Sequence, residues 1–150
     1  MQLFLVHHGD AVGPDVDPRR PLSERGREQV ERLAAEAAKR GARPAVVWHS
    51  GKLRARQTAE AFWKACNALA EFSATRDLQP ADPPAWIHDR LCGESRDTLI
   101  AGHFPHLPQL LALLLGKPPD SPGEFPAHGL VALDREREGP GWRELWRIVP

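Results

Sequence analysis

Three short apolar runs in this sequence each lead into a histidine. Residues 2–6 run into His7-His8-Gly9, residues 45–48 into His49-Ser50-Gly51, and residues 98–101 into Gly102-His103. Arg54 follows the second run by about one helical turn. A neutral imidazole is a nucleophile toward phosphorus and can form a covalent phosphohistidine that water later cleaves. The transferred phosphoryl group spreads charge over three oxygens and needs fixed cations and N–H donors around it. Arg54, a second imidazole and the amides after Ser50 are donors of that kind, and Gly9 and Gly102 let backbone approach closely. A second chemistry is open to His7, His8, His49 and His103, because imidazole also suits zinc. The adjacency of His7 and His8 counts against it, since neighbours seldom converge on one ion.

These residues act together only if a fold gathers them. Residues 2–6 read as a strand buried on both faces, as in a parallel sheet. Ser23 can cap a helix from Glu24 to about Arg40, with Val30, Leu33, Ala34, Ala37 and Ala38 at helical spacing and Gly41 as the stop. Residues 45–48 form a second strand. Ser50 can cap a helix from Lys52 to about Ala70, with Leu53, Ala59, Phe62, Cys66 and Leu69 facing inward. Residues 75–78 form a short third strand, Pro84 opens a helix through Leu91, and residues 98–101 form a fourth strand. A helix at 107–115 is closed by Gly116 and stopped by Pro118 and Pro119. Strands at 129–134 and 142–149 flank a turn, Glu138-Gly139-Pro140-Gly141. The order implies an α/β fold: three layers, α/β/α, with a mostly parallel sheet and an antiparallel C-terminal hairpin. Ligands of such sheets bind beyond the carboxyl ends of the strands, where the three histidine-bearing segments fall.

The 150 residues suit one domain, 1–150. Lys+Arg and Asp+Glu both total 20, so bulk charge does not favour a nucleic-acid partner. The basic residues are mostly arginine, the better bidentate partner for phosphate. Two cysteines without a Cys-x-x-Cys motif, the lack of a basic leader and the lack of a long apolar run lead us to expect reduced thiols, no membrane association and a cytoplasmic location.

Four segments carry a family resemblance. Leu5-Val6-His7-His8-Gly9-Asp10-Ala11 resembles the Arg-His-Gly signature of the histidine phosphatase (phosphoglycerate-mutase-like) superfamily. Arg20-Pro21-Leu22-Ser23-x-x-Gly26 is similar to its Arg-Pro-Leu-Ser/Thr-x-x-Gly segment. Ser50-Gly51-Lys52-Leu53-Arg54-Ala55-Arg56-Gln57-Thr58-Ala59 is similar to its Ser-Pro-x-x-Arg-Ala-x-Gln-Thr-Ala segment, and Gly102-His103-Phe104-Pro105 to its Gly-His-x-Pro segment. The short chain resembles the SixA branch, small phosphatases acting on phosphohistidine in proteins. The resemblance implies His8 as nucleophile, His103 and Arg54 on the phosphoryl oxygens, Arg20 as an outer phosphate contact, no cofactor and no metal. Partners would be a phosphorylated protein or small phosphate ester, and phosphate ion.

The chain departs from the pattern at His7, a phosphate-binding arginine elsewhere in the family, and at Gly51, a proline there. Losing such a donor costs about 3–4 kcal/mol of transition-state stabilisation. Three outcomes stay open: an active enzyme with altered pH dependence, a weaker or promiscuous small-phosphoester phosphatase, or a phosphate-binding pseudoenzyme. On this reading His7→Arg restores the fork and raises activity. Asp82 is the only carboxylate near the expected position of a general acid and is expected rather to cap the following helix. Of the other histidines, His49 reads as structural and His106 as exposed or packing near the pocket mouth. His88 and His128 read as surface or loop positions, with His128 bordering the pocket.

Overall fold

A strand that is apolar at consecutive positions turns alternate side chains to opposite faces, so both faces need cover. The computed structural model describes residues 1–118, 124–135, 137–139 and 141–150. In it β1 (Gln2–His7) sends Phe4 and Val6 to one face of the sheet, and Leu3 and Leu5 to the other. The first face is covered by α1 (Glu24–Lys39) and α2 (Leu53–Cys66), through Val30, Leu33, Ala59 and Phe62. The second is covered by α3 (Pro84–Cys92) and α4 (His106–Leu114), through Ile87, Leu91, Leu107 and Leu110.

Between the helix layers lies one six-stranded sheet of order β3-β2-β4-β1-β5-β6. Strands β2 (Val46–His49), β3 (Glu71–Ala74) and β4 (Thr98–Gly102) run parallel to β1. Strand β5 (Leu130–Arg135) pairs antiparallel with β1, and β6 (Trp142–Ile148) antiparallel with β5. This is the expected three-layer arrangement with its C-terminal hairpin. Ser23 caps α1 as expected, its Oγ accepting the Gly26 N–H at 3.0 Å.

Two elements differ from the sequence reading by more than one residue. Helix α2 stops at Cys66, because Asn67 turns extended (φ −166°) and its Nδ2 donates to the Pro44 carbonyl at 2.9 Å. Leu69, expected to face inward, is 90% exposed. The third strand is therefore 71–74 rather than 75–78, in register with β2 from Val46 opposite Glu71. Leu78 is buried in the α3/α4 layer instead. Pro119 and Pro140, expected at a helix stop and a turn, lie outside the described residues. Cys66 is a buried free thiol and Cys92 an exposed one. Among the described residues no helix is long and apolar enough to cross a membrane.

Candidate active site

Strands β1 and β4 are neighbours, so what leaves their carboxyl ends converges. The His8 N–H donates to the Gly102 carbonyl at 3.1 Å, and the His8 and His103 ring centres lie 5.2 Å apart. Strand β2, on the far side of β4, brings Ser50, whose Oγ shares a hydrogen bond of 2.6 Å with His103 Nε2. Strand β5 runs the other way, so its beginning reaches the same edge. The His7 N–H donates to the Gly129 carbonyl at 3.0 Å, and the His128 ring stacks on His7 at 4.9 Å. The other face of His7 stacks on Phe104 at 4.0 Å.

The hydrogen bonds settle where the ring protons sit, since a carbonyl only accepts and a backbone N–H only donates. His8 Nδ1 lies 2.7 Å from the Gly9 carbonyl and must donate to it. In the neutral ring, Nε2 then carries the lone pair. His7 is the reverse. Its Nδ1 accepts the His128 N–H at 2.8 Å, so its proton is on Nε2. His128 Nδ1 lies 2.7 Å from the His8 carbonyl and donates to it. Ser50 Oγ also accepts the Lys52 N–H at 3.3 Å, beside its bond to His103 Nε2. The other ring nitrogen, His103 Nδ1, is buried without a partner among the described residues.

Nitrogens of His7, His8 and His128 all lie within 4.8 Å of one another, as in a metal site. The three Nδ1 atoms are already committed: that of His7 accepts the His128 N–H, and those of His8 and His128 donate to carbonyls. The alternative zinc set is also not gathered. His49 Nδ1 accepts the Gly51 N–H at 3.0 Å, and its ring packs on Phe72.

The charges favour an anion. Arg54 Nε is buried without a partner, and its guanidinium makes protonation harder at His7, His8 and His103. Burial, followed by Arg20, lowers the pKa of Arg54 itself. Arg20 donates from Nε to the Val12 carbonyl at 3.1 Å, and its charge reaches His8. Burial first, then the neighbouring imidazoles, lowers His7 to about 3, and burial, then His8 and Arg54, lowers His103 to about 3. Burial lowers His8 to about 4 against the Gly9 carbonyl, which pulls the other way.

The remaining motif residues act as scaffold. Thr58 Oγ1 accepts the Gly9 N–H at 3.0 Å and donates to the Arg54 carbonyl at 2.8 Å, linking the loop after β1 to α2. Gln57 Oε1 accepts the Leu22 N–H at 2.7 Å. Gly26 faces the Asp10 carbonyl so closely that a Cβ would come within 2.1 Å of it, so no other residue fits. Gly51 has φ +91°, which the proline of the family pattern cannot adopt.

Several readings of single residues change. Ser50 does not cap α2: the residue before the helix is Lys52, with no side-chain cap, and the Ser50 hydroxyl is turned to His103. Asp82 does not cap α3, since its Oδ2 accepts the Gln79 N–H at 2.9 Å, within the loop. Gln79 in turn donates from Nε2 to the Ser50 carbonyl at 2.8 Å. His106 is fully buried, so of its two readings the packing one holds and the exposed one does not. His128 sits inside the histidine cluster, and the sequence signal for it was only its place at the start of a late strand.

A sequence profile of the histidine phosphatase superfamily (branch 1) matches residues 3–90, more than half of the chain. The chain belongs to that superfamily. Membership in the histidine phosphatases implies phosphatase chemistry, with a phosphorylated substrate and phosphate as product. Histidine phosphatase SixA in complex with tungstate has the same fold, with TM-score 0.85 and 23% identity over 99% of this chain and 97% of that one. The candidate phosphohistidine phosphatase SixA of Agrobacterium tumefaciens gives TM-score 0.80 and 25% identity over 99% and 97%. Mycobacterial glucosyl-3-phosphoglycerate phosphatase gives 0.74 and 16% over 99% of both chains. No curated protein is close enough in sequence to count as a relative.

This histidine phosphatase should be sensitive to acid. In the unfolded chain His7, His8 and His103 titrate near 6.5, well above their folded values of about 3, about 4 and about 3. The unfolded state therefore binds protons first as pH falls, and stability present above about pH 6.5 is lost toward pH 4. Each ring contributes up to about 1.4 kcal/mol per pH unit, about 4 kcal/mol for the three together. Urea midpoints are expected to drop steeply between about pH 6 and pH 4.5. A flat profile would mean that the rings take up protons within the fold.

Proposed function

We propose that the protein is a metal-independent phosphatase working through His8, with phosphohistidine in proteins as its substrate class. The observation that carries this is the bond from His8 Nδ1 to the Gly9 carbonyl, which leaves Nε2 as a lone pair in a pocket flanked by Arg54. In the first step that lone pair attacks phosphorus, the P–N or P–O bond to the leaving group breaks, and the group leaves with its electron pair. Arg54, His7 Nε2–H and the His103 ring stabilise the oxygens, with Arg20 further out. In the second step water attacks the phosphoryl group on His8, inorganic phosphate departs, and neutral His8 is restored.

The leaving group decides the substrate class. Asp82, the carboxylate nearest the expected acid position, is held by Gln79 in its own loop. With Asp82 held away in its own loop, good leaving groups are favoured, and the imidazole of phosphohistidine is one. Similarity to SixA proteins supports the same reading. The test is turnover on a phosphohistidine protein, phosphoramidate and alkyl phosphates at equal concentration. Phosphoramidates are expected to be hydrolysed at least about 100-fold faster, the usual worth of a positioned acid that alkyl esters would lack. Equal rates would refute the substrate class, and no phosphate release from any of them would refute the activity.

A further inference from the structure

The pocket contains one imidazole more than the proposed chemistry uses. His128 has φ 56°, a left-handed conformation that costs a residue with a Cβ about 1–2 kcal/mol. Such strain persists where surrounding contacts over-determine it and is concentrated at functional sites. Here the contacts are two: the His128 N–H to His7 Nδ1 at 2.8 Å, and Nδ1 to the His8 carbonyl at 2.7 Å. Both hold the ring against the residues at the centre of the site. With Nδ1 committed to a carbonyl, Nε2 is the only atom of this ring free to take up a proton. A nitrogen of His128 lies within 4.8 Å of nitrogens of both His7 and His8.

In this cluster His7 carries its proton on Nε2, while His8 and His128 have Nδ1 committed to carbonyls. His8 has to stay unprotonated to attack. We propose, building on the phosphatase reading above, that His128 is a phosphate-binding residue that becomes an imidazolium when a doubly charged oxyanion binds. Its Nε2–H then faces a phosphoryl oxygen, while Nδ1–H makes a charge-assisted bond to the His8 carbonyl. His7 and His128 together supply the two donors of one guanidinium, and one of them is present only in the bound state. The groups facing them are His8 at the end of β1, Arg54 on α2, His103 after β4 and Arg20 in the loop before α1. None of the charges felt most strongly at His7 or His8 is a carboxylate, so the incoming anion itself draws the proton.

Sulfate is the probe, because it stays doubly charged across the working range. Wild-type affinity is expected to fall between pH 6 and pH 8 with a slope approaching tenfold per pH unit, the mark of one linked proton. His128→Asn keeps a residue type that tolerates the left-handed backbone. It should bind sulfate about tenfold more weakly at pH 6, with a flatter pH profile. Histidine side-chain nitrogen NMR on the wild type reads the same event without a variant: the His128 Nε2 signal should change from unprotonated to protonated on saturation. Sulfate that binds while His128 stays neutral, with His128→Asn unchanged, overturns this inference and leaves the phosphatase reading intact. Sulfate that fails to bind, or binds equally well to Arg54→Ala, overturns both.

Discussion

His8→Ala is expected to lower phosphate release by about 10⁴-fold or more, the usual scale for removing a covalent nucleophile. Among the described residues, none of the histidines around it is free to take over. His7 presents a proton rather than a lone pair, His103 is held by Ser50, and the free nitrogen of His128 is proposed to become protonated once substrate is bound. The backbone should tolerate the change, because the His8 N–H and carbonyl bonds do not involve the ring. Sulfate binding should persist, since Arg54 and the other donors remain. Rapid quench of the wild type with labelled substrate should trap an acid-labile, base-stable phosphoenzyme that the variant never forms. Substantial turnover by His8→Ala, or a phosphoenzyme in it, would remove His8 from the role.

His7→Arg is expected to reduce kcat/KM about tenfold, the opposite of the sequence-based expectation. The reason is packing. The His7 ring lies between Phe104 at 4.0 Å and His128 at 4.9 Å, and its Nδ1 is the acceptor for the His128 N–H. A longer guanidinium overfills this slot, and having no acceptor it leaves that N–H unpaired, each at a cost of about 1–3 kcal/mol. Combining His7→Arg with His128→Asn removes the clashing ring, so the pair should regain at least about tenfold over His7→Arg alone. Contacting residues commonly show non-additivity of this size. Steady-state kinetics and thermal melts of the four proteins would read it. A rise in activity for His7→Arg alone would mean that the pocket accepts the fork without rearrangement.

Much of this was legible in the chain. Apolar runs ending in His8 and His103, and the capped helix after Ser23, are local patterns, and local patterns with period two or 3.6 report which face is buried. Parallel strands also guarantee that residues following them meet at one edge. The end of α2 was less legible, because Leu69 continues the helical spacing while the Asn67 bond to Pro44 depends on a residue 23 positions away. Ser50 read as a cap because capping is the local use of a serine before a helix, and its bond to His103 spans 53 positions.

Residue types and order by themselves determined the fold class, the family and the candidate nucleophile. The tertiary structure decided which nitrogen of the His7, His8 and His128 rings carries the proton, because that depends on whether the partner is a carbonyl or an N–H. It also decided that His128 joins the site. Strand β5 runs antiparallel to β1, so its beginning lies where β1 ends, and a histidine 120 positions away in sequence donates to the His8 carbonyl.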